Sequence, residues 1–95
     1  MRRIIWSARA KREAESQFQY LEERSLQGLM LVRNRLSEAV SKLADMPVGR
    51  PSKAPGAFEK YVLKTSLIIV YELPDEDTLV ILRIVHTSQD RPELL

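Results

Sequence analysis

Whatever reactive chemistry this chain carries falls to the basic side chains of its second half: Arg50, Lys53, Lys60, Lys64, Arg83, His86 and Arg91. Lysine and arginine side chains can hold a phosphate or a carboxylate, and a histidine near them can move a proton at neutral pH. Lys60, Val62 and Lys64 share one face of a strand by the two-residue period, and Arg83 lies two strands later. If the faces match, Lys60, Lys64 and Arg83 form a phosphate clamp. They would then stabilise the phosphorane-like transition state of metal-free RNA cleavage while His86 transfers the proton. The plainer reading makes the two lysines guards of a strand edge and gives Arg83 an ion pair with Glu72 or a loop carboxylate. In that reading His86 is a hydrogen-bonded structural residue at the end of an apolar row. Tyr61 and Tyr71 are core or cleft wall before they are catalytic phenols, and Trp6 is core or interface anchor.

Other chemistries lack their residues. There is no phosphate-binding glycine loop, dinucleotide fingerprint, zinc-ligand spacing or Ser-His-Asp set, and one His with no Cys supplies no transition-metal site. No metal and no cofactor is expected.

The element that must position these groups is the run Thr78 to Pro92, T-L-V-I-L-R-I-V-H-T-S-Q-D-R-P. Leu79 to Val85 is too short for a membrane span and too uniformly apolar for a strand wet on one face, so it reads as a central strand. Simple alternation puts Val80, Leu82, Ile84 and His86 on one face and Leu79, Ile81, Arg83 and Val85 on the other.

Upstream, Arg2 to Trp6 is a short β-prone segment that stops at Ser7, a helix N-cap. Ala10, Ala14, Phe18 and Leu21 then recur at helical spacing to about Arg24, and the small alanines let a neighbour approach closely. Ser25 caps a second helix, in which Leu29, Val32, Leu36, Ala39, Val40 and Leu43 keep the same spacing until Met46-Pro47. So short a link folds the two helices into an antiparallel hairpin, with Gly28 a mild local cost. Pro47 to Gly56 holds three of the five prolines and two of the three glycines, and reads as a loop. Phe58–Leu63, Leu67–Leu73 and Leu79–Val85 follow as a three-stranded antiparallel meander with short turns. The expected fold class is therefore α+β: an N-terminal strand, an antiparallel helical hairpin, then the meander, all in one domain over residues 1–95.

A chain of 95 residues builds one modest core, and without cysteine it has no covalent staple, so help from a partner is expected. The absence of cysteine and of a long apolar opening run fits a cytoplasmic protein. With 15 Lys and Arg against 13 Asp and Glu the net charge is only +2, which leaves room for a local basic patch facing an acidic protein or a nucleic acid. A plain nucleic-acid-binding module would need a continuous basic face with stacking aromatics, and six aromatic residues supply little of that.

The segments P-V-G-R (Pro47 to Arg50), P-G-A-F-E (Pro55 to Glu59), I-I-V-Y (Ile68 to Tyr71) and I-L-R-I-V-H-T-S-Q-D-R-P (Ile81 to Pro92) resemble the RelE/ParE superfamily of bacterial toxins from type II toxin-antitoxin modules. The loop P-x-G-R and the terminal R-x-x-H-x-x-Q-D-x-P are the most specific parts, and the similarity spans nearly the whole chain. It implies a growth-arresting toxin held inactive by a cognate antitoxin. RelE-like members cut messenger RNA on the ribosome, whereas ParE-like members poison DNA gyrase without a recognised catalytic site. The R-I-V-H ending looks nearer the ParE-like side, and Phe58 stands where many relatives have Arg, which removes a phosphate ligand. The resemblance thus implies gyrase inhibition, with RelE-like RNA cleavage through His86, Arg83, Lys60 and Lys64 as the alternative. Contacts to target or antitoxin are expected at Arg50, Lys53, Lys60, Lys64, Arg83 and Arg91.

Overall fold

The computed structural model describes residues 1–87. β1 (Arg3–Trp6) leads through Ser7 into α1 (Ala8–Arg24), and Ser25 separates α1 from α2 (Leu26–Asp45). β2 (Arg50–Pro51), β3 (Ala57–Tyr61), β4 (Leu67–Asp75) and β5 (Thr78–His86) complete the described chain. None of its helices is long and apolar enough to cross a membrane.

Capping side chains set the helix boundaries. Ser7 Oγ accepts from Ala10 N at 3.0 Å and donates to Leu82 O at 2.9 Å, which ties the start of α1 to β5. Ser25 closes α1 with its N–H on Leu21 O at 2.7 Å and opens α2 by accepting from Gly28 N at 3.0 Å. Gly28 has a local reason: an added Cβ would stand 3.3 Å from Ser25 Oγ.

The meander β3-β4-β5 forms as expected and is widened on both sides into a five-stranded sheet of order β1-β5-β4-β3-β2. β1 runs parallel to β5, with Ile4 opposite Leu79 and Trp6 opposite Ile81, so β5 is an interior strand next to the middle strand β4. The Pro47–Gly56 segment is not wholly loop. Its Arg50-Pro51 pairs antiparallel with Glu59 and Phe58, where a proline is tolerated because an edge strand leaves one row of backbone groups unpaired.

Leu67, Ile69 and Tyr71 of β4 pack toward the helices with Ala10, Ala14, Leu36 and Leu43. Ile68 and Val70 alternate onto the opposite face, where they cluster with Ala57 and Val85. Simple alternation fails on β5. Val70 faces Arg83 while Tyr71 faces Ile81, so Leu82 is an extra residue in a β-bulge. Ile81 and Ile84 consequently join the same helix-side core, and Val85 joins the other face with Leu82. The bulge reassigns every side chain after Leu82.

Candidate functional site

Arg83 sits at this bulge, and it pairs with Glu13 of α1, an acid that was not among the expected partners. Its Nη2 and Nε donate to Glu13 Oε2 of α1 at 2.7 and 3.2 Å, while Glu13 Oε1 accepts the N–H of Ile84 at 3.0 Å. Arg9 Nε approaches the same carboxylate at 3.7 Å. One carboxylate therefore serves a guanidinium and the bulged backbone together, with both side chains about four-fifths buried.

The three cations of the expected clamp engage different parts of the fold. Lys60 lies opposite Ile69 on the helix-facing side of β3, beside Arg35, Glu38 and Lys42 of α2. Lys64 is not on a strand. It occupies the β3–β4 turn in the left-handed region, φ 60°, where Thr65 braces the backbone by donating from Oγ1 to Val62 O and accepting from Leu67 N. Arg83 belongs to the Glu13 pair, and His86 is half-buried opposite Leu67 at the end of β5.

Arg50 projects over the sheet face away from the helices. Its Nε donates to Glu59 Oε1 at 3.0 Å, its Nη2 donates to Tyr61 Oη at 3.1 Å, and the guanidinium stands 5.0 Å from the Tyr61 ring centre. Lys53 is exposed on the loop before β3, and Arg91 lies outside the described residues. No group of three potential ligands for a metal ion occurs among the described residues.

Apart from these cations, the folded surface offers an apolar groove of about 300 Å³ between α1, α2 and β1, floored by Trp6, Phe18, Leu36 and Val40. Trp6 also lines a second depression with Lys11, Ala14 and Glu15. The outer edge of β1 beside this groove pairs with no described strand. Trp6, expected as core or interface anchor, packs against the main core and also lines the groove.

A family model described as "ParE toxin of type II toxin-antitoxin system, parDE" matches residues 4–91. The chain belongs to this ParE toxin family. A ParE-type fold is also found among solved structures. The chromosomal ParDE toxin-antitoxin system from P. aeruginosa aligns with a TM-score of 0.75 at 20% identity, over 90% of this chain and 96% of that one. The E. coli DinJ-YafQ complex aligns with a TM-score of 0.60 at 16% identity, over 93% and 96%. No curated protein matches the chain in sequence.

In this ParE-family chain the P-V-G-R segment has a steric explanation. A Cβ at Gly49 would lie 2.5 Å from Tyr71 Oη and 2.8 Å from the backbone oxygen of Glu59, so a side chain there requires the β2 segment to move. Tyr71 is fully buried, stacks on Phe58 at 5.7 Å between ring centres, and its Oη has no hydrogen-bond partner among the described residues. Gly49→Ala should therefore destabilise by about 1 to 3 kcal/mol through overpacking, measured by urea denaturation; an unchanged midpoint would mean that β2 moves freely.

Burial pushes the Tyr71 phenol above its ordinary value of 10.0, because the phenolate is penalised inside the core. A folded pKa above the unfolded one means that this contribution is intact below the unfolded value and is lost as pH rises through the folded value. Stability should fall in alkali, and Tyr71→Phe should flatten that fall while leaving neutral-pH stability equal or higher, because no hydrogen bond within the described chain is lost. Thermal melts from pH 8 to about 11 check this; an equal alkaline loss in Tyr71→Phe would assign the effect to other groups.

Proposed function

We propose that this ParE-family toxin arrests growth by binding DNA gyrase, and that a cognate antitoxin encoded beside it holds it inactive. The observation that carries the target assignment is the Arg83–Glu13 pair. The arginine at the centre of any phosphate clamp already donates from both Nε and Nη2 to one carboxylate oxygen of Glu13, at 3.2 and 2.7 Å, and that carboxylate offsets its charge and would repel an incoming phosphate. Lys60 lines a cleft with α2 and Lys64 occupies a turn, and neither joins the Arg83–Glu13 pair. Metal-free RNA cleavage needs convergent phosphate ligands and a proton-transfer group, whereas protein inhibition needs only a complementary surface. Exposed Arg50, Lys53 and Lys64, with half-buried Lys60, supply cationic contacts for such a surface. For the antitoxin, the Trp6–Phe18 groove and the open β1 edge suit an apolar helix or an added strand.

Purified toxin incubated with gyrase should block supercoiling, and the adjoining gene product should restore it. In a translation extract the same toxin should leave ribosome-bound messages uncut. Codon-positioned cuts that His86→Ala abolishes, with gyrase unaffected, would replace this reading by RelE-like endoribonuclease activity.

A further inference from the structure

The flank of α2 turned away from Trp6 carries a different kind of surface. Arg35, Glu38 and Lys42 fall on one helical stripe and face Lys60 and Tyr61 of β3 across a cleft of about 100 Å³. Three cations meet one carboxylate there. No ion pair joins Arg35, Lys42 or Lys60 to an acid among the described residues, and Arg35 Nε is buried with no hydrogen-bond partner among them. Leu63, 68% exposed, forms an apolar rim.

From this geometry we infer that the α2–β3 cleft receives an acidic segment of the antitoxin, with one of its carboxylates on Arg35, Lys42 and Lys60 and a neighbouring apolar side chain on Leu63. The inference rests on the antitoxin reading above and locates a second contact on the far side of α2 from the Trp6–Phe18 groove. Charge complementarity selects an anionic occupant. A peptide fits better than a nucleic acid, because Glu38 repels a phosphate backbone, the cleft is shallow, and Tyr61 is its only aromatic ring. A carboxylate at Arg35 would also satisfy a guanidinium N–H that otherwise stays buried and unpaired.

The test is titration of full-length toxin variants with the adjoining gene product at two salt concentrations. Lys42→Glu with Lys60→Glu should weaken binding about 100-fold or more and reduce its salt dependence, since close charge pairs at an interface are the costly ones to invert. Lys42→Gln with Lys60→Gln, which avoids new repulsion and guards against misfolding, should weaken it about 10-fold. Arg12→Glu, an exposed α1 cation outside the cleft, should change affinity by less than about 3-fold. Wild-type toxin that does not bind the gene product overturns the antitoxin reading together with this site. Equal affinity for wild type and both double variants overturns the cleft alone. If the double variants keep antitoxin affinity but lose binding to a short single-stranded RNA that wild type retains, the cleft is a nucleic-acid site and the inference is wrong.

Discussion

Glu13→Ala is expected to remove about 3 to 5 kcal/mol of folding stability, the cost of breaking a largely buried ion pair by deleting one partner. The variant removes the carboxylate oxygen that accepts from both Nε and Nη2 of Arg83 and leaves Ile84 N–H without its acceptor, both at a bulge where the regular ladder is interrupted. It also frees Arg9, whose exposed contact at 3.7 Å adds little. Glu13→Gln should lose less, because an amide oxygen can still accept from Ile84. Replacing both partners, Glu13→Leu with Arg83→Met, should recover most of the loss, since no uncompensated charge then stays buried. Urea denaturation of the four proteins checks the set. A Glu13→Ala midpoint within error of wild type would show that the pair is solvated and that the bulge does not need it. This outcome would also weaken the case against phosphate binding at Arg83.

Leu36→Ala should cost about 2 to 5 kcal/mol, a large share of the 5 to 15 kcal/mol typical of a domain. Leu36 is 4% exposed and packs into the core between the helices and the sheet, while its flank helps floor the Trp6 groove. Truncation therefore leaves a cavity inside and widens the groove outside. Antitoxin affinity should fall more than the stability loss alone explains, if the groove is used. Met30→Ala, one turn and a half away but 58% exposed, should leave the denaturation midpoint nearly unchanged and serves as the control. A Leu36→Ala protein as stable as wild type would mean that the hairpin is not seated on the sheet through this residue.

The helical half was legible because its information is local. Ser7 and Ser25 can cap a helix whatever surrounds them, and apolar residues at three-to-four spacing define a buried stripe without reference to any partner. The expected α1 coincides with Ala8–Arg24, and α2 ends at Asp45, directly before the expected stop at Met46-Pro47. The meander was legible for the same reason, since its strands are apolar runs separated by short polar turns. The toxin family was legible in P-x-G-R and the C-terminal segment, because those motifs combine residue types at fixed separations.

What the tertiary structure decided depends on contacts between residues far apart in sequence. The parallel pairing of β1 with β5 joins the two ends of the described chain, and nothing within either strand specifies it. The bulge at Leu82 is invisible in an unbroken aliphatic run, yet it moves Ile84 to the helix-side core and breaks the expected alternation. Glu13 reads as one of several acids on the polar side of α1, and only the packing of that helix on β5 brings it to an arginine 70 residues later. Gly49 looks like a flexible loop residue until Tyr71 Oη fills the space where its Cβ would be. The sequence by itself determined which segments are helix and strand and which residue types could bind an anion. Their use was decided by folding, because an ion pair, a bulge register and a steric vacancy are properties of two distant segments meeting, and a periodic pattern describes only one.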